Sequence, residues 1–91
     1  MEQQMRLVGD EITIPPIQVK LDRLDREILT IFLEHPTWHL KVHQIRTILK
    51  YNKLEAGYIK ISRRLEFLTA TTLLSRYRGS KVYLYYLTPS N

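Results

Sequence analysis

The sequence predicts an α+β domain of three helices followed by a C-terminal β-hairpin, preceded by an extended N-terminal arm. Three features carry that prediction. Apolar residues recur at helical spacing in three segments between Leu21 and Leu68. After Thr69 the period changes to two, on either side of Arg78-Gly79-Ser80. Before Leu21 the apolar pieces are short, and a Pro15-Pro16 pair follows them. A chain of 91 residues makes one globular unit, with residues 1–20 as the arm and 21–91 as the domain. A domain of this size buries only about 60 to 65% of its unfolded surface, so pairing with a second copy would add stability.

The arm holds MRLV and EITI, separated by Gly9-Asp10, a step that suits a two-residue hairpin turn. Pro15-Pro16 then excludes helix and central strand and favours extended chain. The arm is expected to be extended or a hairpin, either disordered or ordered by a partner subunit. The first helix starts near Asp22 or Asp25, either of which can cap it. Leu21, Leu24, Ile28, Ile31 and Phe32 form its apolar face, and His35-Pro36 ends it. Trp38 and Leu40 alternate with polar neighbours, as in a short strand.

The second helix is expected over Val42 to Lys50, burying Val42, Ile45, Ile48 and Leu49. Tyr51-Asn52 offers a tight turn, with Asn52 as N-cap of the third helix and Glu55 completing a capping box. From there Leu54, Tyr58, Ile61, Leu65 and Leu68 give the strongest helical period in the chain. Gly57 within that run leaves room for a later start. In the hairpin, Tyr83, Tyr85 and Leu87 fall on one face and Val82, Leu84 and Tyr86 on the other. Gly79 is expected to supply a positive φ at the tip.

Hydrophobic residues at 44% and charged residues at 25% are ordinary for a soluble globular protein. No apolar run reaches the roughly 18 residues a membrane span needs, and the start lacks the layout of a secretory signal, so the cytoplasm is the expected compartment. With no cysteine, disulfides and thiolate zinc sites are excluded. His35, His39 and His43 are spaced by four, but Pro36 breaks any helix joining the first two and nothing completes a ligand set, so no metal is expected. No nucleophile–base pair, glycine-rich phosphate loop or carboxylate dyad is evident, so neither an enzyme, a cofactor nor a small-molecule substrate is expected.

Charge is the functional signal. Residues 1–40 hold seven acidic and four basic side chains, whereas residues 41–91 hold ten basic and two acidic. Such asymmetry suits a polyanion. Two helices joined by a tight turn form a helix-turn-helix, whose second helix lies in the DNA major groove. With Tyr58, Ile61, Leu65 and Leu68 taken as core, the third helix presents Ile59, Lys60, Ser62, Arg63 and Arg64. Lys60 and Arg63 are the expected groove residues, and Arg64 is expected on backbone or base. Trp38 and the tyrosines have rings that stack on bases, but most fall at core-phase positions.

In this order and spacing the chain resembles the winged helix-turn-helix family over about residues 21 to 89. LDRLDREIL is similar to the first helix of the feast/famine (leucine-responsive) regulators, KVHQIRTIL to a second helix, ISRRLEFL to a recognition-helix ending, and KVYLYYLTP to a last wing strand. The compactness and the arm resemble small archaeal, viral or plasmid-borne regulators. The chain departs from the pattern in three places. Ile45 to Ile61 is longer than in compact members, Thr71-Thr72 replaces a glycine after the third helix, and Lys41 stands where a serine or threonine cap is common.

The resemblance implies sequence-specific binding of double-stranded DNA in transcriptional regulation. It places Arg76, Arg78, Ser80 and Lys81 on the backbone or minor groove through the wing. Beside the turn, Tyr51 and the basic residues Lys41, Arg46, Lys50 and Lys53 are expected near phosphates. A homodimer is expected from the small size, the coreless arm and the second apolar face of the last strand. The alternatives are a winged-helix protein-interaction module, or a DNA-binding part of a replication or partition apparatus.

Overall fold

Asp22 opens helix α1 (Arg23–Glu34) with a reciprocal capping box. Its Oδ1 accepts from the Asp25 amide at 2.8 Å, and the Asp25 carboxylate accepts from the Asp22 amide at 3.1 Å. The helix ends at His35, before Pro36. Helix α2 (Val42–Tyr51) follows a short loop. Lys41 brings no side-chain cap, but Gln44 Oε1 accepts from the Lys41 amide at 2.9 Å. Helix α3 (Tyr58–Ala70) then leads into a two-stranded antiparallel hairpin, β-strands Leu74–Arg78 and Tyr83–Leu87.

The computed structural model describes residues 6–8, 11–14 and 17–89. In the arm, β1 (Arg6–Val8), β2 (Glu11–Ile14) and β3 (Ile17–Lys20) make an antiparallel meander with β2 in the middle. The two hairpin strands are therefore β4 and β5. The third strand goes beyond the extended chain or hairpin expected of the arm, because four residues, IQVK, are too few for a strand period to show. The Gly9-Asp10 and Pro15-Pro16 steps lie outside the described residues.

The core sits where the three helices meet the hairpin. Ile28 and Phe32 of α1, Ile45 and Leu49 of α2, Ile61, Leu65 and Leu68 of α3, and Leu74 and Tyr85 of the hairpin are all buried. Leu40 joins the sheet through one bridge, exchanging backbone bonds of 2.8 Å with Tyr85 in both directions. The strand expected around Trp38 and Leu40 is reduced to this single pairing.

Several expectations need correction. Asn52 ends α2 instead of capping α3, and α3 begins at Tyr58 with Gly57 as its N-cap, so the extra length falls in the turn. Leu54 lies in that turn, half-buried. Tyr58 is 48% exposed, because the first turn of α3 projects beyond the core. Among the tyrosines only Tyr85 is buried.

Helices α2 and α3 stop by the same device. After α2, the Leu54 amide donates to Leu49 O at 2.8 Å and the Lys53 amide to Lys50 O at 3.0 Å. After α3, the Leu73 amide donates to Leu68 O at 3.1 Å and the Thr72 amide to Thr69 O at 3.0 Å. This pair of bonds is a Schellman motif, which requires a left-handed residue and is usually closed by glycine. Here Lys53 (φ 63°) and Thr72 (φ 65°) take that conformation. Gly79, by contrast, is required by space and not by a positive φ: a Cβ there would lie 3.0 Å from Leu84 Cδ1 and 3.1 Å from Val82 O.

One polar contact pins α3 to α1. Asp25 is fully buried. Arg64 reaches it with both arms of its guanidinium, Nε to Oδ1 at 2.7 Å and Nη2 to Oδ2 at 2.6 Å. Asp22 Oδ2 is 3.7 Å from Arg64 Nε, and the Arg64 guanidinium carbon lies 4.4 Å from the centroid of the Phe67 ring. Donating its hydrogen bonds to the Asp25 carboxylate raises the Arg64 pKa above its ordinary value, against the opposing effect of burial.

Candidate nucleic-acid interface

With Ile61, Leu65 and Leu68 facing inward, a helix turning about 100° per residue points Ile59 and Arg63 directly away from the core. Ile59 is 67% exposed, and Arg63 is exposed with no carboxylate at ion-pair distance among the described residues. Tyr58, Ser62 and Glu66 form the neighbouring stripe, turned toward the hairpin, where they line a cleft. Lys60 lies on the opposite flank, beside a hollow bordered by Asp22, Leu54 and Glu55. Arg64, expected to contact DNA, instead points to α1, because the buried Asp25 carboxylate needs its charge and both its bonds.

The cleft between α3 and the hairpin has a volume of about 460 Å³. Lys41, Arg76 and Lys81 bring positive charge to it, and Glu66 the negative charge. Strand alternation explains the hairpin's share. Leu74, Arg76 and Arg78 share the face of their partners Leu87, Tyr85 and Tyr83, so the inner face runs from apolar at the core to cationic at the tip. The Arg76 guanidinium lies 4.2 Å and that of Arg78 5.7 Å from the Tyr83 ring centroid. Arg76 is also 3.9 Å from Glu66, a weak, exposed ion pair. Ser80 and Lys81 are exposed at the tip.

Around the turn, Arg46 and Lys50 stand one helical turn apart on α2, beside Glu55 and Ala56. Tyr51 is 88% exposed at the end of α2, and Lys53 follows it, exposed. The structure thus brings Lys41, Ser62, Arg76 and Lys81 together, sets Arg46 and Lys50 in a second group, and leaves Lys60 on a third side. Sequence reasoning missed Tyr58 at the cleft, because its periodic spacing assigned it to the core. It also missed His43 and Tyr83, which line the cleft and carry no separate sequence signal.

The outer face of the hairpin is aromatic. His39 stacks on Tyr86 with ring centroids 4.9 Å apart, and its Nδ1 is 3.1 Å from the Tyr77 hydroxyl. Tyr86 and Leu84 are half-buried on this face, whereas Val82, expected beside them, is 39% exposed and lines the cleft on the α3 side. His35 stacks on Trp38 at 3.6 Å, so the histidines face separate partners. Among the described residues no three His, Cys, Asp or Glu side chains are placed to hold a metal, and no helix is long and apolar enough to cross a membrane.

No protein-family model matches the chain, and no curated protein does. Among solved structures, that of the ferric uptake regulator from Francisella tularensis with iron is similar, with a TM-score of 0.72 at 20% identity. The fold is a winged helix. The similarity takes in 80% of this chain and 56% of that one, so the chain spans little more than half the length of its structural neighbour. Within the winged helix, α2 and α3 are the helix-turn-helix pair and β4–β5 is the wing. At 20% identity the likeness carries the fold alone.

Proposed function

We propose that this chain binds double-stranded DNA sequence-specifically in transcriptional regulation, with α3 in the major groove and the wing against the backbone or minor groove. One observation carries the reading. Of the ten basic residues after position 40, Arg64 and Arg76 have carboxylate partners; the other eight have no ion-pair partner among the described residues. A protein surface ordinarily intersperses both signs, and a run of unpaired cations over α2, α3 and the wing needs an external polyanion to neutralise it. The fold supplies the shape for duplex DNA, a projecting helix beside a cationic hairpin. The Francisella protein with this fold is itself named a regulator.

In this reading Ile59, Ser62 and Arg63 face base edges, and Lys60 flanks them. Lys41, Arg46, Lys50, Tyr51, Lys53, Arg76, Arg78, Ser80 and Lys81 meet the backbone. Two copies would place their α3 helices about 34 Å apart on a roughly palindromic site, paired through the residue 1–20 arm or the outer wing face. Light scattering that returned a monomer at micromolar concentration would overturn the dimer.

The test is fluorescence anisotropy with a short random-sequence duplex over a range of salt concentrations. Each phosphate neutralised contributes a slope of about −0.9 in log K against log salt, so eight free cations set a ceiling near −7 for each copy bound. A linear fall with a slope of about −4 to −7 per bound copy supports the reading. Absence of binding at low salt refutes it and favours the protein-interaction module.

A further inference from the structure

We infer that Ile59 and Arg63 form a two-residue reading unit that selects a thymine and a guanine about two base pairs apart. The inference rests on the major-groove reading of α3 and specifies what that helix prefers. Ile59 is 67% exposed. It occupies the second position of α3, on the outward stripe, four residues before Arg63. A large aliphatic group at the centre of a cationic surface has nothing to gain from phosphates. The one apolar feature on the edges of B-DNA bases in the major groove is the thymine C5-methyl.

Arg63 complements it. Its guanidinium is not held by a carboxylate, unlike that of Arg64 in the next position. A free, planar, two-pronged donor matches the O6 and N7 acceptors of guanine. The flanks of the stripe differ in chemistry: Ser62 turns toward the wing cleft and Lys60 toward the opposite hollow. Those positions suit the two walls of the groove, leaving Ile59 and Arg63 over its floor. Four residues of helix advance about 6 Å, and stacked base pairs advance about 3.4 Å, so the two contacts fall about two base pairs apart.

The experiment uses the full chain and a duplex selected by it from a random pool. Each thymine is replaced in turn by deoxyuridine, which removes only the methyl, and each guanine by 7-deazaguanine, which removes the N7 acceptor. Affinities are measured by anisotropy for the wild type, Ile59→Ala and Arg63→Ala. Because both side chains are exposed, the variants should keep the wild-type circular dichroism and melting curve, which is checked first. In the wild type one deoxyuridine should weaken binding about fourfold, the worth of one buried methyl. One 7-deazaguanine, about two base pairs away, should weaken it about fivefold or more. The first effect should vanish in Ile59→Ala and the second in Arg63→Ala.

If DNA binds in a salt-dependent way but no deoxyuridine matters, or its effect persists in Ile59→Ala, the reading unit is overturned while the DNA-binding function stands. If the two effects lie more than three base pairs apart, the unit is also overturned. Failure to bind any duplex at low salt overturns both.

Discussion

Replacing Arg64 with alanine removes two hydrogen bonds, of 2.7 and 2.6 Å, from a carboxylate with no solvent exposure. Asp25 would then keep its capping-box bond to the Asp22 amide but lose both charged donors. Removing one partner of a buried ion pair costs about 3 to 5 kcal/mol, because the remaining charge is stranded away from water. The whole stability of a 91-residue domain is about 5 to 14 kcal/mol. The substitution should therefore lower the melting temperature by at least about 12 °C, at roughly 4 to 8 °C per kcal/mol for this size. Arg64→Lys should recover only part of the loss, since an ammonium cannot span both carboxylate oxygens. Urea unfolding followed by circular dichroism measures the singles, and Asp25→Ala with Arg64→Ala completes a double-mutant cycle. The double should cost well below the sum of the two. An Arg64→Ala loss under about 1 kcal/mol, the value of an exposed ion pair, would refute the assignment. Below its melting range, Arg64→Ala should also keep the wild-type salt slope for DNA, because this arginine does not reach the phosphates.

Further substitutions test the remaining features. Thr72→Gly should raise stability by about 0.5 to 1 kcal/mol, read as a higher urea midpoint, because a β-branched residue is strained at φ 65°. Gly79→Ala should destabilise by about 1 to 2 kcal/mol, since its Cβ would meet the Val82 carbonyl at 3.1 Å and force the wing turn to shift. Glu66→Gln removes the carboxylate beside Arg76 and should tighten binding to all duplexes about two- to fivefold at low salt, an advantage that shrinks as salt rises. Arg78→Ala should weaken cognate and random duplexes alike and reduce the salt slope by about one, as expected of a phosphate contact.

Much of the domain could be read before the structure. The start of α1 near Asp22 or Asp25, its end at Pro36, the span of α2 and the hairpin about Gly79 all follow from local rules of capping, proline sterics and strand alternation. The turn between α2 and α3 departs from the sequence expectation for a physical reason. Asn52 and Glu55 have the spacing of a capping box, yet the Schellman bonds to Leu49 and Lys50 claim this segment first. The Asp25–Arg64 clamp was legible in principle. Asp25 falls on the apolar stripe with Leu21, Leu24 and Ile28, and Arg64 on the stripe with Ile61, Leu65 and Leu68. Opposite charges on two inward-facing stripes are a pairing signal, hidden by counting Arg64 with the basic residues around it. The exposure of Tyr58 depends on where the core ends, which spacing alone cannot specify.

The two left-handed helix exits are alike in geometry and unlike in what a designer could do with them. Glycine at position 72 would relieve backbone strain and remove an exposed threonine whose hydroxyl donates one local bond, to Thr71 O at 2.6 Å. Glycine at position 53 would relieve the same strain but delete a cation from the turn between the paired helices. Lys53→Gly should therefore make a sturdier protein with a shallower salt dependence on DNA, whereas Thr72→Gly should change sturdiness alone. The pair offers independent dials for thermal tolerance and for grip.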